Sequence, residues 1–162
     1  MNASEEERLE GRQVALTLAW AVSVGTAGDP AAGLRMVQPL FNRGPRAAYR
    51  LTIALAGLAI TPTKTRHPEA DGFFAMAVDV DPETGERTLL AVDELPPVQR
   101  AGARIMAAVA TGDLRTAEAV FLPVAEAGAQ QLGELVAGLY QQAVMAAVDL
   151  AEIPSDQWRG RS

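Results

Sequence analysis

The strongest constraint on how this chain folds is a phrase that it contains twice. The first copy, "TAGDPAAGLRMVQPLFNRGP", covers residues 26–45, and the second, "ATGDLRTAEAVFLPVAEAGA", covers residues 110–129. In both, a Gly-Asp pair is followed by an apolar run with a proline and then by another glycine. Glycine and proline occupy such places for backbone reasons, so their shared order is more informative than shared alanines in an alanine-rich chain.

The two copies align at one offset of 84 residues, which also matches apolar positions on both sides of the phrase. The aligned pairs are Val14 with Val98, Ala19 with Ala103, Gly28 with Gly112, Asp29 with Asp113, Pro39 with Pro123, Gly44 with Gly128, Leu51 with Leu135, Leu55 with Leu139 and Ala59 with Ala143. We therefore expect two three-helix units, residues 12–60 and 96–144. Each is a long helix, a Gly-Asp cap, a shorter helix with a proline, a glycine and a second long helix.

Capping signals place the six helices. Asp29 and Asp113 are expected N-caps, because aspartate accepts hydrogen bonds from the first turn of a helix. Pro30 and Pro45 stand where the first helical residue tolerates proline. The segment "TPTKTRHPEADG" (residues 61–72) has two prolines and a glycine, which predict a loop. The expected helices are residues 6–24, 29–42, 45–60, 96–110, 113–127 and 130–151.

Between the two units, the pattern predicts a β-hairpin. The apolar runs "FFAMAVDV" and "RTLLAVDEL" flank "DPETGE", a sequence typical of a type I turn followed by a glycine. We expect Phe73–Val80 to pair with Arg87–Val92 and to cover the helices. The fold class is therefore mainly α, about six helices with one inserted β-hairpin, in two pseudo-repeated three-helix units. Residues 1–152 form a single domain, and 153–162 form a C-terminal tail.

Composition excludes several classes of function. The chain has no cysteine, hence no disulfide, thiolate metal site or cysteine nucleophile. Its net charge of −6 disfavours nucleic acid and anionic membranes as partners. The runs "VALTLAWAVSV" and "LTIALAGLAI" are shorter than the roughly 20 residues of a membrane span, so they predict helices buried on most sides. The acidic start "MNASEEERLEGR" is unlike a secretory signal, and the expected location is cytoplasmic.

No motif for catalysis, a metal or a cofactor is found, so we predict no catalytic residue, no metal site and no cofactor. The acidic run from Asp79 lacks the glycine and glutamate that an EF-hand loop needs at fixed positions, and it is better explained as a solvated turn. His67 is the only histidine and lies in a polar stretch without a second nitrogen ligand. Phosphate-binding patterns of the GxxxxGK and GxGxxG types do not occur.

Three features are candidates for binding. Arg43, Arg46 and Arg50 cluster around the start of the third helix and could bind an anion or an acidic partner. Trp158 lies in a polar tail and could fold back or anchor a partner. The sixth helix has an apolar stripe wider than burial on one side requires, comprising Leu132, Leu135, Val136, Leu139, Tyr140, Ala143, Val144, Ala147, Val148 and Leu150.

These observations favour a non-catalytic protein-interaction or assembly protein that forms a homodimer, with the hairpin edge, the sixth helix or both at the interface. Another protein is a second expected partner. Two alternatives stay open. One is a regulatory nucleic-acid-associated protein that uses the Arg43, Arg46 and Arg50 region. The other is a small-ligand binder or carboxylate-dependent enzyme with a pocket between the two units.

Overall fold

A computed structural model describes residues 3–67, 77–80 and 83–152, and this part of the chain is dominated by helix. Its helices are α1 (Ala3–Thr26), α2 (Pro30–Phe41), α3 (Pro45–Arg66), α4 (Pro97–Thr111), α5 (Leu114–Ala127) and α6 (Ala129–Ala151). Two short strands, β1 (Ala77–Val80) and β2 (Arg87–Leu90), and a 3₁₀ turn (Val92–Glu94) lie between α3 and α4.

The two Gly-Asp joints have the same local geometry. Gly28 and Gly112 both have positive φ, +105° and +76°. The following aspartates are the N-caps of α2 and α5, with Asp29 Oδ1 accepting from the backbone N–H of Ala32 at 2.8 Å and Asp113 Oδ1 from that of Thr116 at 3.1 Å. Each cap satisfies one of the N–H groups that the first turn of a helix leaves unpaired. The predicted caps are therefore confirmed in both copies.

The second half of the phrase is equally alike in the two copies. Pro39 lies inside α2 and Pro123 inside α5. Gly44 and Gly128 then cap α3 and α6 with nearly identical torsions, φ 115° and ψ 175° against φ 120° and ψ 175°. This region of φ favours glycine because a Cβ atom would be strained there. The equal joints support a duplicated unit, and superposition of residues 12–60 on 96–144 stays a prediction.

The helices of the two units contact one another in a symmetric pattern. The most extensive contact in the described chain is between α3 and α6, the third helix of each unit. The α1–α2 pair and the α4–α5 pair are the most extensive contacts inside the units, while α1 crosses onto α6 and α4 onto α3. The core follows the same symmetry, with the aligned Leu51 and Leu135 both buried, as are the aligned Leu55 and Leu139.

The first helix departs from this symmetry at its start. At the offset of 84 residues, Pro97 at the start of α4 corresponds to Gln13, whereas α1 already begins at Ala3. The first ten residues of α1 therefore have no α-helical counterpart in the second unit, where the 3₁₀ turn Val92–Glu94 aligns with residues 8–10. They contact the rest of the described chain at Glu10, whose carboxylate is 3.4 Å from Arg50 Nη1.

The β-hairpin of the predicted fold class is wrong as a component of the architecture, which is a body of helices. Instead of the long strands expected at Phe73–Val80 and Arg87–Val92, only Ala77–Val80 and Arg87–Leu90 pair, antiparallel, with Ala77 opposite Leu90. Residues 73–76 and 81–82, which include half of the predicted first strand and part of its turn, lie outside the described residues. Among those described, no helix packs extensively on either strand. Two isolated strands of this length are marginal in water, so they add no layer to the fold.

A second correction concerns the end of α3, where the predicted loop at residues 61–66 is helical. The helix continues through the buried Pro62 to Arg66. Proline removes one backbone donor, but the helix around it has extra hydrogen bonds. The hydroxyl of Thr61 donates to the carbonyl of Gly57 at 2.8 Å, and that of Thr65 donates to the carbonyl of Thr61 at 2.9 Å. Burial against the core therefore outweighs the cost of the proline.

Tyr140 ties α6 to the first unit. Its ring is buried and its hydroxyl donates to the carbonyl of Ala21 in α1 at 2.6 Å. Two glycines make room for it, because a Cβ at Gly25 would lie 2.5 Å from the Tyr140 hydroxyl, and a Cβ at Gly33 of α2 would overlap both that hydroxyl and the Ala21 carbonyl. Three helices therefore meet around one hydroxyl group.

This crowding predicts opposite effects for two glycine substitutions. Gly33→Ala should lower the free energy of unfolding by about 1–3 kcal/mol, the usual cost of overpacking. Gly57→Ala is the matched control, since Gly57 is inside α3 and nothing lies within 4 Å of its Cβ position. It should raise stability by about 0.5–1 kcal/mol because alanine favours helix. Urea denaturation measures both, and equal effects would contradict this packing.

Burial raises the pKa of Tyr140, and the nearby Asp29 carboxylate raises it further. The folded state therefore favours the neutral phenol. The resulting contribution to stability is fully present below the ordinary pKa of about 10 and is lost as pH rises through the folded value. We expect Tyr140→Phe to cost about 1 kcal/mol at neutral pH through the lost hydrogen bond. It should also show a smaller loss of stability than the parent above pH 10, where the parent's phenol ionises. Urea denaturation at a series of pH values tests this, and parallel pH profiles would contradict it.

Candidate functional site

The structure brings two of the three predicted arginines to one small cavity. Arg43, after α2, and Arg50, in α3, line a cavity of about 200 Å³, and Glu10 of α1 lies on the same cavity. Arg46 is exposed and is not among the residues that line it. The other lining residues are Gly11, Val14, Leu40, Ala47 and Leu51.

The charge of this cavity is partly neutralised from within the chain. Arg50 Nη1 is 3.4 Å from Glu10 Oε2, and both side chains are less than half exposed, at 42% and 44%. An ion pair at this exposure contributes little stability, about 0–1 kcal/mol. It does reduce the attraction of the site for an anion, because any anion must compete with the Glu10 carboxylate. The arginine cluster is therefore a weaker candidate than the sequence indicates.

The other predicted anchor, Trp158, lies outside the described residues. His67 is the C-cap of α3, where it is exposed. Within the described ranges, no group of three or more metal-ligating side chains is close enough to hold an ion. Along the same ranges, no helix has the length and apolar character needed to cross a membrane.

The sixth helix does not leave its whole stripe exposed. Leu135, Val136, Leu139, Tyr140 and Ala143 are buried in the core. Of the predicted stripe, Val148 is 44% exposed, and the neighbouring Met145 is 62% exposed. The predicted α6 interface is thereby reduced to a small patch at the C-terminal end of the helix.

Among the described residues, α1 has an exposed apolar face that the sequence did not indicate. We expected residues 14–24 to be buried on most sides, and this is wrong for one face of α1. Leu18 and Ala21 face the core, but Leu9, Leu16 and Trp20 lie half a helical turn away and are 53%, 57% and 66% exposed. We call these three residues the α1 face. In the part of the chain that the structure describes, the other large apolar residues that are exposed lie on α2 (Met36), α3 (Leu58), α5 (Leu114 and Leu122) and α6 (Met145 and Val148).

The second unit has polar groups at the positions that align with the α1 face. Leu9, Leu16 and Trp20 correspond at the 84-residue offset to Asp93, Arg100 and Arg104. Arg104 Nη2 is 2.9 Å from Asp93 Oδ1, and Arg100 Nη2 donates to the carbonyl of Leu95 at 3.0 Å. One unit thus has polar side chains where the other exposes two leucines and a tryptophan, although the Nε atom of Arg100 is buried without a hydrogen-bond partner among the described residues.

The same comparison extends the α1 face onto α2. In the second unit, Arg100 and Arg104 line a groove of about 410 Å³ between α4 and α5 together with Val120 and Pro123. The aligned residues of the first unit are Leu16, Trp20, Met36 and Pro39. Met36 is 37% exposed and Pro39 is also exposed. The outer surface of α1 and α2 is therefore the more apolar of two surfaces that align in the sequence.

A further cavity of about 310 Å³ lies between α4 and α6, within the second unit. Gly102 and Gly138 line it, where the aligned residues of the first unit are Leu18 and Ala54. The absence of side chains at these two glycines explains the cavity. In the first unit, the Leu18 side chain is buried at the position that aligns with Gly102. A Cβ added at Gly102 would lie 3.6 Å from the Leu135 side chain, an ordinary contact distance. The cavity has a rim of amide and carboxylate side chains, Gln99, Glu134, Gln141 and Gln142.

Comparison with known proteins identifies no relative. No protein-family model, curated protein or solved structure matches the chain. The interpretation of function therefore depends on the geometry of this molecule and on the comparison of its own two units.

The two faces of α1 predict unequal costs of truncation. Leu18 is 3% exposed, so Leu18→Ala should lower the free energy of unfolding by about 2–5 kcal/mol. Leu16→Ala, on the opposite side of α1 from the core, should cost less than about 1 kcal/mol, as surface substitutions do. Chemical denaturation of dilute protein compares the two variants. A cost at Leu16 equal to that at Leu18 would show that the outer face packs against the chain itself.

Proposed function

We propose that this chain is a non-catalytic interaction protein that assembles with a second copy of itself. The observation that carries the proposal is the α1 face, a set of large apolar side chains exposed where the second unit is polar. Large apolar side chains exposed together on one helix face are typical of protein–protein contact sites. Tryptophan is also among the residues most enriched at the energetic centres of such contacts.

The free energy available from burying the α1 face indicates a weak, concentration-dependent assembly. Leu9 and Leu16 are each a little over half exposed and Trp20 is 66% exposed. Further burial therefore contributes roughly 1 kcal/mol for each leucine and roughly 2 kcal/mol for the larger tryptophan at about 25 cal/mol per Å². A two-fold pair buries both sets, which must offset an association cost of at least about 4 kcal/mol. The α1 face by itself therefore supports a dissociation constant well above micromolar. Tighter binding requires additional area from α2.

The alternative functions have less support from the geometry. At the arginine cluster, Glu10 lies beside Arg50, and the net charge of the whole chain is −6, both unfavourable for binding nucleic acid. For a ligand-binding protein or enzyme, we expected a pocket between the two units. The three cavities described above each lie within one unit.

Light scattering of the purified chain tests the proposal. Between about 10 µM and about 1 mM, the range in which a few kcal/mol of net association energy becomes visible, the average mass should rise from that of one chain, 17.1 kDa, toward twice that value. A mass that stays at one chain over the whole range would contradict self-assembly. A mass that grows beyond two chains without a plateau would contradict a closed pair.

A further inference from the structure

We propose that two copies pair through the α1 face in antiparallel orientation, with Leu9 of one copy opposite Trp20 of the other and Met36 at the edge of the contact. This inference rests on the proposed function, self-assembly, and adds the surface and the geometry. It names a second copy of this chain as the occupant of an otherwise unpartnered helix face.

The spacing of the face fits a helix–helix seam. Leu9, Gln13, Leu16 and Trp20 follow one another at steps of four, three and four residues. Steps that alternate between four and three keep side chains on one line of a helix and form the repeating contact of coiled coils. Gln13 is exposed at the second of these positions. A single polar side chain in such a seam fixes register at some cost in stability.

The second unit shows that the fold does not require this face. Its aligned helix α4 has Arg100 and Arg104 on the corresponding surface of a similar helix pair. In addition, Leu9 lies in the ten-residue extension of α1 that has no counterpart in α4. Leu16 and Trp20, which replace the aligned arginines of α4, and Leu9 in the extension all lie on the same face of α1. A contact with something outside the chain explains them together.

The distribution of charge along α1 favours the antiparallel orientation of the two helices. The N-terminal part of α1 begins "ASEEERLEGR" and is acidic, whereas the part from Thr17 to Thr26, "TLAWAVSVGT", has no charged residue. Parallel pairing would place the glutamates of both copies side by side, and like charges that close repel. Antiparallel pairing places each acidic half against an uncharged half. It also brings the small Leu9 side chain against the large Trp20, which fills the seam evenly.

Area decides the extent of the contact. A stable interface buries about 800 Å² on each partner, more than three partly covered side chains provide. The additional area must come from surface continuous with the α1 face. Met36 and Pro39 of α2 are the exposed apolar residues that align with the lining of the α4–α5 groove, so they extend the contact on that side.

The first experiment transfers the surface of the second unit to the first. The variant Leu16→Arg with Trp20→Arg introduces the residues found at the aligned positions of α4, which the same kind of helix pair accommodates. By light scattering it should remain a monomer at concentrations where the parent is a dimer, while its circular dichroism spectrum stays helical. Met145→Arg is the matched control, since Met145 is equally exposed on α6, and it should dimerise like the parent.

The results separate this inference from the proposal on which it rests. A parent that is monomeric throughout contradicts self-assembly itself. If the parent and the Arg variant both dimerise, self-assembly stands but the α1 face is not the interface. If Met145→Arg loses the dimer, the interface lies on α6 instead. If the Arg variant does not fold, crosslinking decides.

Because the natural chain has no cysteine, single cysteines report orientation directly. In the antiparallel pair, the two copies of residue 13 are offset by about 5 Å along the seam, whereas the two copies of residue 9 are about 16 Å apart at 1.5 Å per residue. A short bis-maleimide should therefore crosslink Gln13→Cys and not Leu9→Cys. Crosslinking of both overturns the antiparallel orientation, and crosslinking of neither, or of Leu9→Cys alone, overturns the seam.

Discussion

The arrangement of the helical body depends on the close approach of three helices around the Tyr140 hydroxyl. The third helix of the second unit reaches the first unit there, because Gly25 and Gly33 leave space that any side chain would fill. The hydrogen bond to the Ala21 carbonyl gives the buried hydroxyl its partner, without which burial would be unfavourable. Packing between the units is therefore specific, and α1 is held with one defined face toward the core and the other toward solvent.

The two halves of the molecule join in related but unequal ways. In the second unit the residues aligned with Gly25 and Gly33 are Val109 and Ala117, so the same close approach is impossible. There, Tyr49 of α3 reaches the other unit, where its ring lies tilted by 60° against that of Phe121 with the ring centroids 5.2 Å apart. Its hydroxyl donates to the Leu114 carbonyl at 3.0 Å. Each third helix thus contributes one tyrosine to the opposite unit. The two units therefore keep the same order of helices while their contacts differ, and one unit can have an exposed surface that the other lacks.

Local signals made the joints predictable and left the surfaces unpredicted. Asp29, Asp113 and the glycines around them act within a single turn of chain, so the sequence indicates their conformation correctly. The strand tendency of "FFAMAVDV" depends on what packs against it, and the described part of this segment forms four residue pairs with β2. Pro62 predicts a break, but burial and the threonine hydroxyls keep the helix intact.

The candidate site could be predicted only in part for a related reason. The part of α1 that follows Gln13 has no charged residue and is apolar on nearly every side, so periodicity does not distinguish the face that packs from the face that does not. The steps between Leu9, Leu16 and Trp20 were a usable signal, yet they become informative only when the core residues Leu18 and Ala21 are known. Of the three predicted arginines, Arg43 and Arg50 line the same cavity. The ion pair of Arg50 with Glu10 depends on a tertiary contact that local sequence does not indicate.

The central claim is that one of two equivalent surfaces has become a binding surface. Amide NMR spectra of the isotope-labelled chain, recorded at increasing concentration, test it most directly, because the second unit is an internal control. The account predicts progressive shifts at residues 9–20 and 36–39, with residues 93–104 and 120–123 unchanged. Shifts that are equal in both units, that centre on α4, α5 or α6, or that are absent at every concentration would contradict it.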